Sequence, residues 1–227
     1  MKIMLPTIAA WLVTLLVPIA LIGLALRVLL TPAFLTVEYN MPYFPVDQYG
    51  FTRDDRLHWA PYGLDYLVND ADISYLGDLK SEDGARLFNE RELKHMQDVK
   101  NITQAALKVW YSALALLAVL GLLAWRGGWD QVYLRGLKQG GWLIIGLAGA
   151  IGSIVLVGMV AAPEFFWDFF TFFHSLFFEG DSWLFLYSDT LIRLFPIRFW
   201  QDAFLLAAAI SLGGGLALAF GLKPRMG

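Results

Sequence analysis

The chain contains no cysteine. That excludes disulfides, thiolate metal sites and a cysteine acyl-enzyme, and it leaves the redox compartment unspecified. Charge is also scarce. Asp, Glu, Lys and Arg make up 16% of the 227 residues and the formal net charge is −3, so no basic surface is on offer to nucleic acid. Histidine occurs three times, at His58, His95 and His174. No G-x-S-x-G, no H-E-x-x-H, no Gly-rich phosphate loop and no Walker motif occurs, which removes the common nucleophile-elbow, zinc-protease and nucleotide-binding readings. Internal repeats and low-complexity linkers are missing as well.

What fills the space is apolar: 58% of residues are hydrophobic and 15% aromatic, and mean hydropathy is +0.55. The windows 3–26, 140–163 and 203–222 carry no charge, and 105–125 carries only Lys108, whose ammonium can snorkel to an interface. A helix needs roughly 20 apolar residues to cross the hydrocarbon, so four crossings are expected, at 1–30, 105–125, 140–162 and 202–222. The first is too long for a signal-peptide core, and no small-residue cleavage site follows Arg27, so a retained signal-anchor is expected.

Four crossings place both termini on one side, together with Lys2, the loop 126–139 with Arg126, Arg135 and Lys138, and the tail 223–227 with Lys223 and Arg225. The opposite connection, 163–201, has only Arg193 and Arg198 among five acidic residues, so the positive-inside rule predicts cytoplasmic termini. The segment 31–104 is then an extracytoplasmic cap. Its stretch TVEYNMPYF (36–44) is rich in β-branched and aromatic residues and reads as a strand. The following RLHWAPYGLDYLVNDADISYLGDL reads as turns and short amphipathic pieces. From Asn89 a helix is expected, with Asn89 as N-cap and Glu92 three residues on; it either continues into the second crossing or breaks near Asn101. The connection 163–201 holds eight phenylalanines within 165–178 and reads as an amphipathic, interfacial pair of helices. The expected fold class is therefore an all-α, four-span integral membrane protein with a small α+β cap and an aromatic segment before the last helix.

Two histidines invite a chemical reading. On a helix, His95 and Asp98 are i, i+3 neighbours, the base–orienter half of a hydrolytic triad or else a plain exposed pair. His174 lies inside FFTFFHSLFF (169–178), where burial would hold the imidazole neutral and able to accept a proton, or where the ring would merely face headgroups. His58, a lone histidine in RLHWAPYG, reads as a surface or packing residue. Asp189 and Arg193 are i, i+4 and can pair, or the arginine can hold an ester oxygen or lipid phosphate. Gly213, Gly214 and Gly215 read as a close-packing site in the last helix.

HMQDVK before the second crossing and FFHSLFFEGDSWLFLYSDTLIRLFPIRFW before the fourth, on a four-helix chain with one exported loop, resemble the lipoprotein intramolecular transacylase family (Lit) of bacterial membrane proteins. The resemblance implies transfer of the sn-2 acyl chain of a diacylglyceryl-modified lipoprotein to the α-amine of its N-terminal cysteine, giving a lyso-form lipoprotein. It implies His95 and His174 as the acid/base pair, and the spacings above add Asp98, Asp189 and Arg193 in support. Because the substrate's amine is the nucleophile, no serine or cysteine nucleophile is needed. The implied partners are the diacylated lipoprotein and membrane lipids, with no cofactor, no metal, no nucleic acid and no soluble protein. The implied site is the cell membrane, facing outward. On this reading His174, lacking a nearby anion, is the base, and His95, oriented by Asp98, holds a proton for the oxyanion or alkoxide. The competing readings are a lipid hydrolase or another acyltransferase using the same histidines, a haem- or metal-binding subunit, and a structural or partner-binding membrane protein.

Overall fold

The structure, a computed structural model, describes residues 4–161 and 164–223. Lys2, Arg225 and the end of the third window at 162–163 lie outside the described residues. Among the described residues the chain is helical, with α1 (Met4–Leu29), α2 (Pro32–Tyr39), α3 (Arg53–Val68), α4 (Ser74–Gly77), α5 (Glu90–Gly127), α6 (Asp130–Ala161), α7 (Phe165–Ser175), α8 (Thr190–Leu194) and α9 (Ile197–Gly221). Four of these, α1, α5, α6 and α9, are long and apolar enough to cross a membrane. The expected all-α, four-span architecture is thus present, and the chain divides into two compact units.

One unit comprises residues 1–27, 106–162 and 205–227. It holds most of α1, the second part of α5, α6 and most of α9. Large apolar side chains such as Trp11, Leu15, Ile154 and Leu205 are exposed here, which lipid would cover and water would not. The helices approach at glycine. A Cβ on Gly141 would lie 2.7 Å from the Gly215 carbonyl oxygen, and one on Gly215 would enter the Ile144 side chain. Gly214 likewise faces Leu21, whereas Gly213 has nothing within 4 Å. Small residues at such seams let backbones touch in lipid, where no hydrophobic force draws helices together. Polar groups inside are partnered: Trp110 Nε1 donates to the Ala20 carbonyl at 3.0 Å and Tyr133 Oη to that of Leu117 at 3.0 Å.

The second unit comprises residues 28–105 and 163–204. The strand expected at 36–44 is not formed. Thr31 caps α2 by accepting from Phe34 N at 3.4 Å, and Pro32 supplies a preset φ at the first turn. Phe34, Leu35, Glu38 and Tyr39 then share one buried helical face. Local capping and that stripe outweigh β-propensity, a weak force away from a sheet. The turns expected at 56–68 are instead α3, started by a capping box between Thr52 and Asp55 and continued through Pro61. Asn89 and Glu92 cap α5 as expected: Asn89 Oδ1 accepts from Glu92 N at 3.1 Å and Glu92 Oε2 from Asn89 N at 2.8 Å. There is no break at Asn101, since α5 is continuous over 38 residues. The aromatic connection is α7 and the five-residue α8, joined by turns, and α9 starts at Ile197, earlier than the expected 202.

Buried polar groups lock this unit. Glu92, 1% exposed, reaches beyond its own helix and accepts from Leu191 N at 2.7 Å, so α8 hangs from the first turn of α5. Thr190 Oγ1 donates to the Leu87 carbonyl beside it. Tyr39 Oη donates to the Leu194 carbonyl at 2.9 Å, and Phe34 meets Phe199 edge to face.

Candidate active site

His95 lies on α5 one turn beyond Glu92, so the cap that fixes the helix start also fixes the histidine's azimuth. His174 ends α7. Residues 79 positions apart in the chain are brought ring to ring, with centroids 6.3 Å apart and planes 21° from parallel. Both are 8% exposed. Phe178 lies against both, at 4.8 Å from His95 and 5.6 Å from His174. Phe185 flanks His95 at 5.3 Å, while Phe170 and Trp183 pack on His174 at 3.9 and 4.8 Å.

The tautomer of His174 follows from its partner. Its Nδ1 is 2.8 Å from the Phe170 carbonyl oxygen, which can only accept. Nδ1 therefore carries the hydrogen and Nε2 keeps its lone pair. Burial pushes the His174 imidazole below its ordinary value, partly offset by that carbonyl bond. His95 precedes the stretch 105–125 in α5, and burial, followed by the neighbouring His174, pushes it down to about 4. Neither ring is charged at neutral pH, because a dry aromatic surround cannot solvate an imidazolium.

The other expected site residues are placed differently. Asp98 makes no hydrogen bond to His95, whose Nδ1 is buried without a partner among the described residues. The reason is geometric: the imidazole turns into the aromatic cluster, while Asp98 stays partly exposed. Asp189 and Arg193 do not pair through their side chains. Asp189, at the N-terminus of α8, points back to Arg91 at 3.0 Å, Asn89 at 3.1 Å and Leu186 N at 2.9 Å. Arg193 binds Asp47 at 3.0 Å and the Tyr49 carbonyl at 3.1 Å, with its guanidinium 3.5 Å over Phe51. It lines a cavity of about 310 Å³ with Pro45, Arg56 and Tyr187, which neither histidine reaches. His58 is exposed against Trp59 and Tyr62, away from the pair. Arg91 carried no sequence signal; Glu92 was expected as a cap, and Phe178, Trp183 and Phe185 lay within the aromatic motif, but their contacts with His95, His174 and Leu191 had no local signature.

The pattern that defines the lipoprotein intramolecular transacylase Lit family matches residues 11–200. The chain belongs to that family. It is accordingly an acyltransferase acting in the membrane on lipoproteins. The in meso structure of the membrane integral Lit from Bacillus cereus is similar with a TM-score of 0.73 at 20% identity, covering 94% of this chain and 92% of that one. The same protein with one histidine substituted by arginine gives 0.65 at 17% identity over 96% of this chain and 90% of that one. A protein of Aquifex aeolicus (strain VF5), described only as uncharacterized, is 29% identical over 210 residues, 89% of this chain and 88% of its own. The likeness to the solved structures shows the same helical fold.

Proposed function

We propose that this protein moves the sn-2 acyl chain of a diacylglyceryl lipoprotein onto the α-amine of the same molecule's N-terminal cysteine, with His174 and His95 as the working pair. The observation that carries the reading is the pair of buried, facing imidazoles held in an aromatic cluster. The α-amine, with an ordinary pKa of about 7.7–8.0, is partly neutral near pH 7 and can attack the ester carbonyl. His174 Nε2 takes the proton lost as the C–N bond forms, worth roughly 10²–10⁴-fold, and returns it to the departing glyceryl oxygen. No net proton is exchanged, so a single neutral base suffices. His95 hydrogen-bonds the leaving oxygen. Asp98 does not orient His95 on this reading, since no bond joins them. The phenylalanines exclude water, which would otherwise hydrolyse the ester. Arg193 and Asp189 act as loop anchors, holding the aromatic connection in place.

The excess of Lys and Arg in 126–139 supports cytoplasmic termini and an active site on the outer side. A chain without cysteine makes this simple to test. Tyr43→Cys, at a 96% exposed position, should be labelled in intact cells by an impermeant maleimide, and Asp130→Cys only after lysis.

For the reaction, a diacylglyceryl lipopeptide is incubated with the purified protein and its N-terminus read by mass spectrometry. N-acylated cysteine with an unchanged number of acyl chains is expected, and free fatty acid in its place would make the protein a hydrolase. His95→Ala and His174→Ala should each abolish transfer.

A further inference from the structure

Among the described residues, three buried side-chain polar atoms lack a hydrogen-bond partner: Glu38 Oε1, His95 Nδ1 and Trp183 Nε1. Glu38 is accounted for by its neighbour, since burial and then Asp202 push its carboxyl up to about 7, where it can hold a proton. The remaining two belong to one aromatic cluster. A histidine there has a stated task, but the indole does not.

Trp183 follows Gly180, whose φ of +62° turns the chain back after α7. The turn lays the indole on His174, with ring centroids 4.8 Å apart and planes at 34°, and 6.3 Å from Phe170. Trp183 is 7% exposed. An indole nitrogen can only donate. Burying it with no acceptor costs about 1–3 kcal/mol, and buried tryptophans usually find a partner. Packing alone would be served without that cost by phenylalanine, of which this segment has many. The N–H is therefore held for an acceptor that arrives with the substrate.

We propose that Trp183 Nε1–H binds the carbonyl oxygen of the ester undergoing transfer and stabilises the negative charge on it. This rests on the acyl-transfer reading above. An ester presents acceptors and no donor, which matches a lone donor. As the amine nitrogen bonds to the carbonyl carbon, the π pair moves onto the carbonyl oxygen and strengthens its bond from the indole. When the carbonyl re-forms, the C–O bond to glycerol breaks, and the proton that His174 took from nitrogen passes to the glyceryl oxygen. Three groups then serve three atoms: His174 the nitrogen, His95 the leaving oxygen and Trp183 the carbonyl oxygen. A preformed donor in a dry site needs no reorganisation when charge develops, and losing one such donor lowers kcat by roughly 10²–10³-fold.

Two variants test this in the full-length protein. Trp183→Phe removes the donor, and benzothienylalanine introduced at position 183 keeps the bicyclic shape while replacing N–H by sulfur. Both should lower kcat by about 10²–10³-fold with KM within about threefold. A thionoester substrate, whose sulfur accepts hydrogen bonds poorly, should be slowed with the native protein but lose that extra penalty with the isostere. The native enzyme on the oxygen ester is measured first; absence of N-acyl product there refutes the transacylase reading itself. With native transfer established, an isostere of native kcat overturns the role of Trp183, as does a slow isostere that keeps the native ester-to-thionoester ratio.

Discussion

At His174 Nε2 the lone pair is free because the Phe170 carbonyl has claimed the other nitrogen. The consequence is visible in pH. A residue that must be neutral to act is active above its pKa and loses activity as pH falls through it. Burial lowers both imidazoles, His95 to about 4, so the enzyme's own groups should impose no loss near 6.5, where an ordinary histidine titrates. The substrate amine must likewise be neutral, but its pKa is higher, so kcat/KM should climb from pH 6 toward 8 following the amine. Measuring kcat/KM over pH 4–9 checks this, and a break near 6.5 that persists when the amine pKa is altered in the substrate would contradict it. Asp98 gives a second outcome. With no bond to His95, Asp98→Asn should leave kcat within about twofold, since surface substitutions away from a network usually do little. Both histidines stood out in the sequence, His174 through its aromatic context and His95 through its spacing to Asp98, and the family resemblance pointed to both. The direction in which His95 turned was not, because side-chain azimuth is decided by residues such as Phe178 and Phe185 that arrive from another part of the chain.

Helix ends, more than helix interiors, decide the geometry around the pair. Glu92 bonds its own N-cap and also the first turn of α8, 99 positions later. Glu92→Ala would leave the buried Leu191 N–H unpaired, at about 1–3 kcal/mol, and remove the cap on the Asn89 N–H. It should lower the thermal unfolding temperature in detergent and reduce kcat by loosening the connection that carries Phe185 and Trp183. Glu92→Gln keeps one acceptor and should fall between the two. The capping spacing that starts α5 could be seen in the residues, whereas the partner at Leu191 could not, since no local pattern encodes a contact of that range. The same contrast explains 36–44. Its composition favoured a strand, but a strand needs a neighbour to pair with and none is supplied among the described residues, while Thr31 and Pro32 start a helix by themselves. It also explains Asp189 and Arg193. Their spacing suits a pair on a helix, yet α8 lasts only five residues, and each side chain found a partner on a different segment.

For the molecule as a whole, the four crossings could be read from hydropathy because lipid imposes one simple rule on every residue of a span. The second unit obeys no such rule, and it is assembled from two stretches, 28–105 and 163–204. Each stretch brings one imidazole of the pair. The earlier stretch, with His95, is synthesised well before the later one, with His174, so on the proposed mechanism the site is complete only late in translation. A stop codon before position 174 should then abolish transfer. The turn at Gly128, in a backbone conformation with φ of +69°, offers a natural place to divide the gene. Fragments 1–128 and 129–227 made separately should be inert, and made together in one cell should regain N-acylation of a reporter lipoprotein. If the first fragment alone modified the reporter, chemistry would need only His95. Activity regained only on co-expression would make function the property of a reunion, restored whenever the two halves of this polypeptide meet again.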